Sequence, residues 1–249
     1  MSTSQPQFEG FQHRLNSQKE ELESITIRAF RAVDDIDSCH RFLQGHLDVI
    51  SAFGFKLSSA TESWMLDPMT YVVIVESGDR KRTFGGARIQ FRSELNPLPV
   101  EGAIGVEAPE IYPFLEAHPQ LAEICGLWNS VNVAGMGIGS VYSIRAAIAL
   151  AGMVGVKEMV ALCSVHTYRM AHRYGFNLLQ EIGNKGAIPY AGAHQTAHLT
   201  YQFDIDQLPN SQEAERNLIM DLRKNPDQVI KDNGNPSELQ VHYQLGISL

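Results

Sequence analysis

Residues 140–154 (SVYSIRAAIALAGMV) are apolar nearly all round a helical wheel, with Arg145 as the only charge. A helix made from them has no face suited to water, so other elements must cover it on most sides. Gly135-Met136-Gly137-Ile138-Gly139 stands immediately before it, and compact apolar stretches flank the pair at 123–129 (EICGLWN) and 157–163 (KEMVALC). Both stretches read as buried strands. Strand, glycine loop, buried helix, strand is one crossover unit, and it points to a mixed α/β sheet around a central parallel pair.

The rest of the chain supplies elements for such a sheet. Alternation in 24–32 (SITIRAFRA) predicts a half-buried strand. Asp34 or Asp35 then caps a helix whose Ile36, Cys39, Phe42, Leu43, Leu47 and Ile50 fall on one stripe. The run 71–75 (YVVIV), a turn at Ser77-Gly78-Asp79 and the run 84–91 predict a hairpin. Residues 93–110, rich in Pro, Gly and Glu, read as a loop, and a short helix follows to 117. Helical spacing over 166–174 stops at Gly175, whose missing Cβ suits a helix C-terminus. Further strands are expected at 178–182 and 197–203. A helix follows to about 224, after which Asn, Gly and Pro dominate. The expected division is an N-terminal extension (1–23), one domain (24–205) and a C-terminal helical extension (206–249).

At 249 residues and 44% hydrophobic, the chain can bury a sizeable core. Its 20 basic and 28 acidic residues leave a net charge of −8, which offers no broad basic field to nucleic acid or an anionic membrane. Neither partner is expected. Cys39, Cys125 and Cys163 are odd in number, far apart and without metal-ligand spacing, so buried reduced thiols and no metal site are expected. Residues 1–10 lack the pattern of a secretory leader. The longest apolar run, 146–156, falls far short of the roughly 20 residues that a bilayer requires. The expectation is a soluble, cytoplasmic protein.

The glycine loop carries the chemistry. Small residues let the backbone approach a ligand closely, and the first N–H groups of the following helix have no partner within it. The helix dipole adds roughly half a positive charge at that end, which favours phosphate. A dinucleotide loop would need G-x-G-x-x-G and an acidic residue further on, and a Walker loop would need Gly-Lys-Ser/Thr. The sequence has neither. A glycine-rich tight turn without a ligand is the bland alternative.

Residues 127–139 resemble the central strand and pyrophosphate loop of the GNAT superfamily of N-acyltransferases. The consensus Q/R-x-x-G-x-G/A falls on Ala134-Gly135-Met136-Gly137-Ile138-Gly139. Residues 156–164 resemble the next strand of that family, which splays away to admit the pantetheine arm. Arg173-Tyr174-Gly175-Phe176 resembles its Gly-Phe signature. The resemblance covers about 25–203. It implies a twisted mixed sheet of about six to seven strands flanked by helices, parallel only at the central pair. It also implies acetyl-CoA or another acyl-CoA as co-substrate, its pyrophosphate on Gly135, Met136, Gly137, Ile138, Gly139 and Ser140. A strand N–H near Trp128 or Asn129 would bond the thioester carbonyl. The implied reaction is acyl transfer to a small-molecule amine by direct attack.

Such a reaction needs a general base. Glu123, at the head of an otherwise apolar strand, is the best candidate, because partial burial raises a carboxyl pKa toward useful values. A solvated strand-end carboxylate is the bland alternative. Two departures from the family stand out: Ala134 replaces the consensus Gln/Arg, and Ala171 replaces the tyrosine that protonates the departing thiolate. Tyr168, about one turn away, is the replacement acid considered, with His172 and Tyr174 nearby; a packed aromatic is its bland reading. His166, just past the splayed strand, is a further acid or base candidate. The segment 93–122 resembles, more loosely, the insert of autoinducer and N-acyl amino acid synthases. That likeness implies acyl carrier protein as an alternative donor. A GNAT-fold module that binds acyl-CoA without catalysis is the other alternative, and a homodimer is left open.

Overall fold

The computed structural model describes residues 24–52, 62–93, 96–133, 138–189, 196–232 and 239–247. Strand β1 (Ser24–Arg31) leads through a short 3-10 turn into helix α1 (Ile36–Ala52). Asp35 starts that helix: its carboxylate accepts the Ser38 N–H at 3.0 Å, satisfying a donor with no intrahelical partner. A second 3-10 turn, Ser63–Leu66, precedes the hairpin β2 (Thr70–Ser77) and β3 (Thr83–Phe91). Helices α2 (Pro99–Ile104) and α3 (Ile111–Ala117) come next, then the central strand β4 (Leu121–Asn129). The buried helix α4 (Ser140–Met153) is followed by β5 (Glu158–Cys163) and α5 (Val165–Arg173). The chain continues as β6 (Asn177–Leu178), β7 (Ala187–Pro189), β8 (Thr196–Gln202), α6 (Glu213–Lys224), β9 (Asp227–Asp232) and β10 (Leu239–Gln244).

Among the described residues ten strands form one sheet, ordered β6-β8-β5-β4-β3-β2-β1-β10-β9, with β7 on β8. The mixed α/β layout and the central parallel pair are as expected: β4 and β5 run parallel, pairing Leu121–Glu123 with Glu158–Val160. The strand count is not. About six to seven strands were expected, and the excess comes largely from the ends of the sheet. β9 and β10 form a hairpin in what is expected to be a C-terminal helical extension, and β10 pairs β1 in parallel. The sheet therefore has a second parallel pair, and the central one is not unique. The signal for β10 lies in LQVHYQ, which turns Leu239, Val241 and Tyr243 into the core. The Asn, Gly and Pro residues beside it mask that alternation. The expected strand at 178–182 shrinks to β6.

The two faces of the sheet are covered differently. On one face, α4 lies against the sheet and α6 packs on α4. Tyr142, Ser143, Ile144 and residues 146–151 are all buried, as the sequence of that helix demanded. Full burial of each aliphatic side chain there contributes about 1.5–3 kcal/mol. Arg145, the lone charge of α4, donates to Glu215 of α6 at 2.6 Å, and Arg173 of α5 reaches the same carboxylate. Burial alone would push the Glu215 carboxyl up, but the two arginines outweigh it and hold it below its usual value.

On the other face the cover is split. Phe42 and Cys39 of α1 join Trp64, Met65 and Trp128 in one apolar cluster. Val100 and Ile104 of α2 join Ile111, Leu115, Leu121 and Val160 in another. A polar strip of the sheet runs between these clusters.

Candidate active site

Helix α2 occupies a stretch that reads as loop in the sequence. Leu98-Pro99-Val100-Glu101 starts it: proline suits the first helical position, where no N–H is needed. The Glu101 carboxylate accepts the Leu98 N–H at 2.8 Å and pairs with Arg92 at 3.0 Å. This fixes the next free N–H, that of Val100, over the sheet. It donates to Glu123 Oε2 at 2.8 Å.

Glu123 is 2% exposed. Burial pushes its carboxyl up to about 8, against the opposing pull of the Val100 N–H and the Arg88 charge. Among the described residues Oε1 has no hydrogen-bond partner, so that oxygen is open to a proton. Glu123 is also the last residue of β4 paired to β5. Beyond it the two strands part, while β5 stays bonded to β8 as far as Cys163.

The parting has a local cause. Gly86 of β3 faces Trp128 and Arg88 faces Cys125, so β4 spends one more residue than β3 over that interval. Gly126 sits in this bulge with φ of +58°, a region where a Cβ brings strain. Cys125, Gly126 and Leu127 are half-buried although they lie in mid-sheet. Among the described residues the β5-side edge of 124–129 has no strand partner, which opens a cleft at the centre of β4.

At the far end of the cleft, Asn129 donates through Nδ2 to the Ile138 carbonyl at 2.9 Å and ties β4 to the start of α4. Gly139 is the N-cap of α4, extended and without a side-chain cap. The first N–H groups of α4 at Ser140 are thus available to an anion, the condition for a phosphate site. Gly135, Met136, Gly137 and Ala134 lie outside the described residues. Trp128 is 4% exposed and packs edge-on against Phe42 at 6.1 Å, so its side chain belongs to the core. Trp128 and Asn129 pair with Gly86 and Gly85 on the β3 side.

Tyr168 lies on α5, which is capped by Ser164 accepting the Thr167 N–H. Its ring stacks on His198 of β8 at 5.7 Å, and among the described residues its hydroxyl has no hydrogen-bond partner. Tyr174 is fully buried in the core, and Ala171 is 7% exposed within it. His166 is exposed on the first turn of α5, with no bond to a described residue. The structure thus brings Glu123 and the start of α4 to one strand and its cleft, and leaves His166 on the surface.

Arg88 and His46 escaped the reading of the sequence, and Cys125 was read only as a buried thiol. Arg88, opposite Cys125 on β3, donates from Nε to its Sγ at 3.3 Å and lies over the Trp64 ring at 4.6 Å. His46 of α1 is driven down to about 4 by burial and by the Arg88 charge. Burial pushes the Cys125 thiol up to about 11. The available signal was Arg88 and Gln90 on the opposite face from Ala87 and Ile89, polar residues on an interior strand.

A sheet opened between two parallel strands at a bulge, beside a helix whose N-cap has no side-chain bond, defines a GNAT-like fold. Particular solved structures share it. FeeM, an N-acyl amino acid synthase from uncultured soil microbes, superposes with a TM-score of 0.57 at 13% identity, covering 77% of this chain and 97% of its own. BjaI, a CoA-dependent acyl-homoserine lactone synthase, gives 0.51 at 14% identity over 88% of this chain and 94% of its own. Escherichia coli ElaA gives 0.50 at 10% identity over 72% and 99%. No family model matches the sequence, and no curated protein matches it. No helix among the described residues is long and apolar enough to cross a membrane.

Proposed function

We propose that the protein is an N-acyltransferase that moves an acyl group from CoA to a small amine by direct attack. The observation that carries this reading is the placement of Glu123. It is a buried acid with one open oxygen, where β4 and β5 part, on the strand whose far end is tied to the bare N-terminus of α4. The thioester would lie in the gap with its phosphates on the α4 amides, including Ile138, Gly139, Ser140 and the glycines before them. Ionised Glu123 takes a proton from the acceptor ammonium, and the freed nitrogen attacks the thioester carbonyl carbon. The carbon–sulfur bond then breaks; the thiolate takes a proton from Tyr168, whose hydroxyl no described residue holds, or from water, and the phenolate or hydroxide so formed takes the second proton from the acylated nitrogen. An amide and free CoA result. The free N–H groups on the β5 side of β4 would bond the carbonyl oxygen as charge develops on it.

The likeness to FeeM and BjaI supports acyl transfer as the class of reaction. A second reading, in which acyl carrier protein delivers the donor, rests on the looser resemblance of 93–122 to the insert of autoinducer and N-acyl amino acid synthases, the segment whose helix α2 holds Glu123. Calorimetry with acetyl-CoA and longer acyl-CoAs, beside acyl-loaded carrier protein, separates the two. Gly137→Glu should abolish acyl-CoA binding and leave the fold intact, because its side chain and charge fill an anion site. Unchanged affinity in that variant would place the phosphates elsewhere and remove the main support for CoA. Acyl-CoA binding without turnover of any amine would leave a binding module.

A further inference from the structure

Arg88 is half-buried on the polar strip between the two apolar clusters, and its situation differs from that of other arginines around the sheet. Arg28 and Arg41 share Glu76, Arg92 has Glu101, and Arg145 and Arg173 share Glu215. Arg223 donates to the carbonyls of Asp206, Ile148 and Ile205. Among the described residues Arg88 has neither a carboxylate nor a carbonyl as partner, only the Cys125 thiol. The stretch 53–61, which joins α1 to the Trp64 turn, contains no Asp or Glu. The groups that Arg88 influences, Glu123, Cys125 and His46, all favour their neutral forms near pH 7. A half-buried guanidinium without a counter-ion is costly unless an anion arrives to pair with it.

The surroundings are built to hold such an anion in one orientation. Trp64 is 4% exposed and forms a fixed plate under the guanidinium. The bond from Nε to Cys125 fixes its rotation, and the remaining donors form the fork that matches a carboxylate. Arg88 and Glu123 lie on the same sheet face as diagonal neighbours, since Arg88 faces Cys125 and Gln90 faces Glu123. Diagonal neighbours on antiparallel strands are about 7–8 Å apart. Side chains that rise from positions this close on one face can both touch a single small molecule with its amine and carboxylate on one carbon.

We propose that Arg88 is a specificity-determining residue that holds the carboxylate of the acceptor, so that the amine acylated is that of an α-amino acid. This rests on the transferase reading above, and it is testable apart from it. The full-length protein is offered the twenty standard amino acids and, separately, their decarboxylated amines, each with acetyl-CoA and decanoyl-CoA. Binding of the same compounds without donor is followed by calorimetry. The wild type should acylate and bind amino acids in preference to the matching amines. Arg88→Gln should lower kcat/KM for amino acids about 10²-fold, the usual scale for losing one partner of a desolvated charge pair, and lower it far less for the amines, which feel only the lost pull on Glu123. Arg88→Lys, which keeps the charge without the fork, should fall between. A wild type that uses amines as well as amino acids overturns the proposal, even if Arg88→Gln does not fold. So does an Arg88→Gln protein that loses both substrate sets equally. Amino acids that bind the wild type but not Arg88→Gln, with no acyl transfer, would keep the anion site and overturn the transferase reading. Amino acids that do not bind the wild type overturn the proposal whatever the donor does.

Discussion

Glu123 is an acid whose water contacts are replaced by a single backbone N–H, and its behaviour with pH follows from that. Its folded pKa, about 8, lies above the ordinary 4.5. Between those values the folded protein keeps a proton that the unfolded chain has lost. Stability therefore falls as pH rises from 4.5 to 8, by at most about 1.4 kcal/mol per unit. Glu123→Gln should flatten this slope in denaturant melts taken across that range; a slope equal to that of the wild type would mean that the acid is not held protonated. The same variant should lower turnover about 10²–10⁴-fold with little change in acyl-CoA affinity. In the wild type the acidic limb of the rate profile should titrate near 8. His46 has the opposite sign. Its folded pKa, about 4, lies below 6.5, so it costs stability as pH falls from 6.5 to 4, and His46→Asn should remove that loss. Tyr168→Phe deletes a hydroxyl that no described residue holds. A large drop in turnover assigns it the thiolate proton, and an unchanged rate makes it a packing residue on His198.

At the scale of elements, two features hold the site in shape. The Gly126 bulge separates β4 from β5. In Gly126→Ala the left-handed backbone costs about 1–2 kcal/mol, and the added Cβ lies 3.3 Å from Phe42. We expect a lower melting temperature and a larger proportional loss of turnover, because a strand that straightens to relieve the strain closes the cleft. Equal activity per folded molecule would show that the bulge does not shape the site. The second feature is Glu215, 2% exposed between Arg145 and Arg173. Glu215→Ala leaves the half-buried Arg145 cation on the apolar helix unpaired and should destabilise the protein by about 3–5 kcal/mol, measured by chemical denaturation. A loss below about 1 kcal/mol, the value of a surface pair, would show that water already screens it.

The whole molecule is closed at its far edge by the tail. β10 covers β1 in parallel, and Val241 stands opposite Ile25, with Tyr243 opposite Ile27. Truncation after residue 224 would bare the β1 edge and the core surface that Leu239, Val241 and Tyr243 cover, and an exposed hydrophobic edge invites aggregation. The truncated chain should be poorly soluble; a soluble, equally stable product would make the hairpin dispensable. The apolar run 140–154, the alternation in 24–32 and the stop at Gly175, with φ of +83°, are local patterns. Periodicity and backbone sterics report them without knowledge of the fold. That is why the crossover unit, the mixed sheet and Glu123 as a candidate were legible in the sequence. The second parallel pair, α2 inside an apparent loop, and the company of Arg88, Trp64 and His46 were not. Each depends on residues distant in the chain meeting in space, and burial, which decides charge and pKa there, is set only once they meet.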